Sequence, residues 1–367
     1  MRVNQAIALT RLAFPAIFGL CLVACGPGFD PPSELHSLRV LAVQKDKPYA
    51  EPGETVNLQM LWEDASLSAG RPVTVAWSSP CIDPEGDLYY LCFADNGLFA
   101  SSTPVLGDST TITLPKDIIS RRPPPSQTRN APYGIAYVFF AACAGTLTPI
   151  PATSSTTFPI GCKDADGNLL GSDDFVAGYT AVYSFAGFSN NNPLISGFEV
   201  GGKTLAATQF CQGADCLAQA GSNTPADDID CTGDDPRCIP SCAADGDSSC
   251  TGWSVHPVLE QDAKLLDADG KPVLVEGDPV LPNQDIDTVS SKLVGRHLGE
   301  QMWINYYTDQ GSFKSPVRLL NDASAGWNND YGTQFYAPKA PGLVRVWGVA
   351  HDNRGGVAWA GVTLKIQ

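Results

Sequence analysis

Twelve cysteines are the first residues in this chain whose type and spacing could do chemistry. Cys21 and Cys25 fall in an apolar N-terminal run. The rest are Cys81, Cys92, Cys143, Cys162, Cys211, Cys216, Cys231, Cys238, Cys242 and Cys250. An even set at short spacings reads as disulfides in an exported chain and as metal or redox groups in a cytosolic one. Structural zinc favours Cys pairs roughly two to four residues apart. The gaps around Cys231, Cys238, Cys242 and Cys250 do not follow that pattern. Local pairs are therefore expected at Cys81–Cys92, Cys143–Cys162 and Cys211–Cys216, with the pairing of the last four left open.

Asp227, Asp228, Asp230, Asp234, Asp235, Asp245 and Asp247 crowd the same Cys-rich stretch, with Arg237 as its basic residue. Calcium takes about six to eight oxygens, so Ca2+ is the ion this stretch could hold, although no Glu closes an EF-hand loop. No other cofactor is expected. Asp164–Asn168 and Asp267–Gly270 carry Asp-Gly and read as turns. Gly197–Thr204, GFEVGGKT, satisfies the phosphate-loop pattern. It lacks the long buried strand that must precede such a loop, and Phe198-Glu199-Val200 looks like strand within it. A Gly-Gly-Lys hairpin is expected there, and no nucleotide.

The four histidines, His36, His256, His297 and His351, form no HExxH pattern, and no GxSxG elbow is present. No catalytic residue is assigned. Trp62, Trp77, Trp303, Trp347 and Trp359 fall on expected strands and suit a β-sandwich core. Trp327 lies in the loop DASAGWNNDYG and, with Tyr331, is the candidate for an exposed binding contact.

The elements that must carry these residues follow from composition and patterning. The chain has 367 residues with 43% hydrophobic and 17% charged positions, 35 Gly and 29 Pro. It can bury a core, and it is too rich in Gly and Pro for helical bundles. The formal charge is −16, the wrong sign for a partner made of phosphates, so no nucleic acid is expected. Arg2 and Arg11 precede the uncharged run Leu12–Cys25, LAFPAIFGLCLVAC. A basic start and a short apolar core make an export signal, too short for a comfortable membrane span.

That run ends in Leu22-Val23-Ala24-Cys25, which resembles the bacterial lipobox. The resemblance implies cleavage after residue 24, lipidation of Cys25 and attachment to a membrane through the N-terminal lipid. Residues 25–34 would then be a tether, and Gly26 in place of Asp suggests the outer membrane by likeness to enterobacterial lipoproteins.

Strict alternation marks strands at LRVLAV (38–43), Thr55–Trp62, Val73–Trp77, Ile112–Leu114, Ile135–Cys143 and Phe175–Phe185. Pro193–Val200, Gln301–Thr308, Leu343–His351 and Val357–Ile366 form a second series. Asp352–Gly356 is expected at the tip of the last hairpin. The order LRVLAV, PGETVNLQ, VTVAW, YGIAYVFFAAC resembles an immunoglobulin-like or PKD-like domain. The fold class expected is all-β, with two Ig-like antiparallel β-sandwich domains, residues 35–189 and 193–367, and a disulfide-rich insertion at 205–255. Trp303 takes the place in the second series that Trp77 has in the first. The whole resembles large Cys-containing surface lipoproteins of soil bacteria.

The function expected is a cell-envelope lipoprotein that acts as a non-enzymatic binding, adhesion or scaffolding module for a protein or glycan partner. A hydrolase with its site in the insertion or between the domains is one alternative, and an accessory subunit of an envelope complex is the other. Contacts are expected on residues 211–250 or Trp327, with neither sandwich depending on the insertion.

Overall fold

The computed structural model describes residues 31–66, 71–93, 104–123, 131–150, 158–217, 229–243, 249–259, 274–275, 278–279, 301–322 and 326–367. The expected leader, Cys25 and most of the expected tether lie outside them. Among the described residues no helix is long and apolar enough to cross a membrane. Residues Ser33–Gln367 form one compact unit.

The first sandwich contains β1 (Leu38–Lys45), β2 (Tyr49–Ala50), β3 (Thr55–Asp64), β4 (Thr74–Trp77), β5 (Cys81–Ile82), β6 (Val105–Leu106), β7 (Ser109–Thr113), β8 (Tyr133–Cys143), β9 (Thr146–Pro149), β10 (Ile160–Lys163) and β11 (Phe175–Phe185). One sheet has the order β1-β3-β7 and the other β2-β11-β8-β4-β6, while β5 also pairs with β8 and β9 with β10. The β1–β2 segment switches sheets: β1 runs antiparallel to β3, and β2 runs parallel to β11. This is an immunoglobulin-like arrangement, read from the pairing itself. The alternating Val56, Leu58, Met60 and Trp62 of β3 meet Trp77, Val138 and Phe140 in the core between the sheets. Trp77 is fully buried, and its indole N–H donates to the Gly107 carbonyl at 2.8 Å.

The second sandwich contains β12 (Ile195–Val200), β13 (Lys203–Thr204), β14 (Cys211–Gln212), the single turn α1 (Ala214–Leu217), β15 (Cys238–Ile239), β16 (Trp253–Leu259), β17 (Leu274–Val275), β18 (Asp278–Pro279), β19 (Met302–Thr308), β20 (Ser312–Phe313), β21 (Val317–Asp322), β22 (Gly326–Trp327), β23 (Thr333–Tyr336), β24 (Gly342–Asp352) and β25 (Val357–Ile366). Its sheets are β13-β12-β16-β23-β20 and β14-β25-β24-β19-β21-β22, with β15 beside β25 and β17–β18 a separate pair. Gly197–Thr204 is the β12–β13 hairpin, turning through Gly201 and Gly202 at φ +59° and +76°.

Three expectations change. Residues 33 and 34 belong to the folded unit and not to the expected tether, because Ser33 and Leu35 exchange backbone hydrogen bonds with Thr308 of β19. The insertion ends before residue 255, because β16 starts at Trp253 and pairs with both β12 and β23. Within the insertion, β14 and β15 both hydrogen-bond to β25, and Ile239 is fully buried in the second core. β15 thus lies parallel beside the last strand, as β2 does in the first sandwich. The second sandwich therefore depends on its insertion, which supplies both a strand edge and core residues.

The two sandwiches share a further apolar layer. Leu41, Ala42 and Leu61, on the outer face of the β1–β3 sheet, pack with Trp347, Val349, Val357 and Trp359 on the outer face of the β24–β25 sheet. Cys211 and Cys216 close the same cluster. Each aliphatic side chain buried here contributes roughly 1.5–3 kcal/mol. Trp347 lies against Gly361, its direct partner across β24–β25, where a Cβ would come within 2.2 Å of the ring. Glu63 of β3 is fully buried in this seam and faces Arg345 of β24 at 2.8 Å.

Candidate functional site

An outward-facing aromatic strip grows from two paired strands. In β11 the residues Tyr179, Ala181, Tyr183 and Phe185 stand directly across from Phe139, Tyr137, Ile135 and Tyr133 of β8. Cross-strand partners share one face of a sheet. The opposite face of β11 carries Val176 and Val182 into the core. The aromatic face of β11, as regular in sequence as any core stripe, therefore points outward. Tyr179 is 44% exposed and Tyr183 36%.

A cross-linked flap covers one end of this face. Residues Glu85–Asp87 and Tyr89–Phe93 form two short 3-10 turns held by the Cys81–Cys92 bridge, whose Cα atoms are 6.0 Å apart. Phe93 packs on Phe139 with ring centroids 5.1 Å apart, beside buried Ile135 and Cys92. Tyr89 stacks on Tyr179 at 4.4 Å and meets Tyr137 edge-on. Tyr89 and Tyr90 remain 38% and 40% exposed. At the other end Tyr133, Tyr183, Phe185 and Tyr49 lie within 6.5 Å of one another in successive pairs. Each such contact adds roughly 0.5–1.5 kcal/mol beyond burial, so the rings are mutually supported in place.

Polar groups border the rings. Tyr133 donates its hydroxyl to Asp87 Oδ2 at 2.5 Å, and the Tyr137 hydroxyl donates to the Asp87 carbonyl at 2.8 Å. Arg122 pairs with Asp87 at 2.7 Å and with Asp83 at 3.3 Å, and its guanidinium lies 4.3 Å over the Tyr133 ring. Asp83 and Asp87 adopt φ of +46° and +58°, an uncommon conformation outside glycine. Partial burial raises the Asp83 carboxyl. For Asp87 burial acts in the same direction, but hydrogen bonds from Arg122 and Tyr133 outweigh it and hold the carboxyl low. Burial, aided by neighbouring tyrosines and Asp87, pushes the Tyr137 hydroxyl up to about 12. The strip is thus uncharged in its rings, and the corner beside it sets two carboxylates, Asp83 and Asp87, against the one guanidinium of Arg122.

Of the residues singled out from the sequence, the cysteines pair as expected and several others are placed differently. The ten cysteines among the described residues pair locally: Cys81–Cys92, Cys143–Cys162, Cys211–Cys216, Cys231–Cys238 and Cys242–Cys250. Their Cα separations of 5.0–6.0 Å suit disulfides. Tyr331 is not an exposed contact. It is 4% exposed in the second core, where its hydroxyl accepts from the Leu259 N–H, and the flanking strands close over it. Trp327 is in β22, which pairs with β21, and its side chain lies outside the described residues. Trp303 is on the expected strand but on the other face from Trp77. It stacks on His351 outside the core, and Tyr306 is the large buried aromatic of β19.

Asp227, Asp228, Asp245 and Asp247 lie outside the described residues. Asp230 accepts from the Thr232 N–H and hydroxyl in a local turn, and Asp235 binds the Arg237 guanidinium. Asp234 is exposed. Among the described residues no three acidic, His or Cys side chains converge where a metal ion could be held.

A hydrolase reading would need a buried His beside an acid in a cleft. His351 and Asp352 do line a cleft between the sandwiches. Asp352 is engaged in its own hairpin, accepting from the Arg354 and Gly356 N–H groups at 2.7 Å and from Asn190 at 3.0 Å. The His351 ring lies flat on Trp303, and its Nε2 is 3.4 Å from Asn305 Nδ2. Neither presents an activated nucleophile.

No protein-family model matches this chain, and no curated protein matches it. Among solved structures, the chain is similar to the D00-D0 domain of Intimin, at 12% identity over 89% of this chain and 98% of that one, with a TM-score of 0.18. It is also similar to three N-terminal domains of the bacteriophage RB49 Highly Immunogenic Outer Capsid protein, at 8% identity over 90% and 99%, with a TM-score of 0.17. With scores this low neither likeness defines the fold, which rests on the strand pairing above.

Sequence reasoning missed Tyr89, Tyr179 and Tyr183 as surface residues. The signal was present in composition: the β11 stripe uses tyrosine, whose hydroxyl suits a wet face, while its other face uses valine.

Proposed function

We propose that this protein is a non-enzymatic, extracytoplasmic binding module that captures a neutral glycan chain on the tyrosine strip of β8 and β11. The carrying observation is the exposed, mutually stacked set Tyr89, Tyr179 and Tyr183 on a disulfide-braced sheet face. Tyr179 and Tyr183 are four residues apart, about 13 Å along the strand, so the strip suits an elongated ligand. Sugar rings present apolar C–H faces to aromatic rings, and hydroxyls on the tyrosines offer hydrogen bonds at the rim. The −16 charge of the chain disfavours an anionic polysaccharide. Five disulfides are those of a chain that folds in an oxidising compartment. The lipobox-like LVAC supports attachment to the cell envelope through Cys25, and Gly26 in place of Asp supports the outer membrane. The test is a screen of neutral and acidic glycans against the intact protein and Tyr179→Ala. Saturable binding of a neutral glycan, at least tenfold weaker in the variant, is expected. Equal binding by the variant overturns the site, and capture of a protein with no glycan bound replaces the ligand class.

A further inference from the structure

A cleft of about 280 Å³ opens between the edge of the first sandwich and the β24–β25 hairpin of the second. Val40 and Val43 of β1, Phe140, Tyr179, Thr180 and Val357 line it. Its walls are mainly apolar, yet one cation is set among them. Lys45, the last residue of β1, is 6% exposed and lines the same cleft. Its ammonium donates to the Ala181 carbonyl at 3.1 Å. Among the described residues this is its one hydrogen-bond acceptor, which leaves two N–H groups of the ammonium without a partner.

The surrounding charges do not fill that gap. Asp352 faces Lys45 and attracts it, but its carboxylate oxygens already receive the Arg354 and Gly356 N–H groups and the Asn190 amide. His351, the other titratable group facing Lys45 from β24, is lowered to about 4 by burial and is neutral near pH 7. From β11 the nearest ionisable side chain lining the cleft is Tyr179. A buried ammonium with unspent donors is costly to keep in an apolar site. Burial lowers Lys45 to about 8, the direction expected of a desolvated ammonium whose attraction to Asp352 is insufficient to offset the loss of water.

We propose that this cleft is a binding site for a small free organic acid, with the carboxylate on Lys45 Nζ and an apolar tail against Val40, Val43, Phe140 and Val357. The carboxylate supplies the acceptors that the ammonium lacks, and the tail replaces water on the apolar walls. The volume admits a compact molecule and excludes a folded segment. A bound carboxylate also favours the charged ammonium, so binding above pH 8 draws a proton from solution.

The probe is hexanoate, compared with hexanamide, titrated calorimetrically into the intact protein at pH 7.0 and 8.5. Hexanoate is expected to bind saturably and at least tenfold more tightly than the amide. At pH 8.5 its binding heat should vary with buffer ionisation enthalpy, in the sense of proton uptake. Lys45→Met keeps the aliphatic stem and should abolish both the preference for acid and the proton uptake. Because that variant removes a buried group, Thr180→Phe is tested beside it. It keeps Lys45, narrows the cleft and should weaken hexanoate at least tenfold. Equal affinity for acid and amide, absence of saturable binding, binding at pH 8.5 without proton uptake, or unchanged affinity in folded Thr180→Phe would each overturn the assignment.

Discussion

Replacing Arg345 by Met should destabilise the protein in a way that depends on pH. Arg345 lies between the buried Glu63 of the first sandwich, at 2.8 Å, and the partly buried Asp309 of the second, at 3.3 Å. Burial raises the Glu63 carboxyl to about 7 even with Arg345 beside it, and burial also raises Asp309. Between the ordinary range near 4.5 and about 7, the folded state holds a proton on Glu63 that the unfolded chain releases. Stability from this group is therefore full at low pH and declines as pH rises through that window. Without Arg345 the Glu63 carboxyl rises further, so the gap between wild type and variant opens above pH 7. Breaking a buried pair by removing one partner costs about 3–5 kcal/mol, the value expected at pH 8.5. By pH 5 Glu63 is protonated in both folded proteins, and the loss should shrink by about 2 kcal/mol, the worth of one and a half pKa units. Urea unfolding with disulfides intact, followed by tryptophan fluorescence at the two pH values, measures both losses. The double variant Glu63→Gln/Arg345→Met should lose most of the pH dependence. A loss equal at both pH values, or larger at pH 5, refutes the reasoning.

Two further outcomes can be checked directly. Gly361→Ala should cost about 1–3 kcal/mol by thermal or urea unfolding, because the new methyl meets the Trp347 ring in a packed seam. Cys25→Ser should move the protein from the membrane to the soluble fraction on ultracentrifugation in high salt, and persistence with membranes would contradict the anchor.

Local signals in the sequence carried much of the fold. Alternation located β1, β3, β8, β11, β24 and β25, since a period of two is a property of neighbouring residues. Asn, Asp and Gly located the Asp352–Gly356 turn, where Gly355 adopts φ +89°. The three expected local Cys pairs lie at short separations, within reach of one another along the chain. β16, β21 and β23 were not read, because the first residues of β16, 253–255, were absorbed into the Cys-rich stretch and the other two are short and flanked by polar loops.

By itself, then, the sequence determined an all-β chain with local cross-links, an N-terminal export-like run, and strands with two distinct faces. Tertiary structure alone decided what covers each face. Alternation separates Tyr179 and Tyr183 from Val176 and Val182, but only the pairing of β11 with β8 sends the tyrosines outward. Leu61 and Glu63 look like neighbours of the core residues Met60 and Trp62, yet they form the seam because another sheet lies against them. The Cys-rich stretch gives no strand pattern, and its buried Ile239 is explained only by β25 beside it. Lys45 ends an ordinary strand, and its isolation in the cleft arises from a hairpin more than 300 residues away, a contact no local pattern encodes.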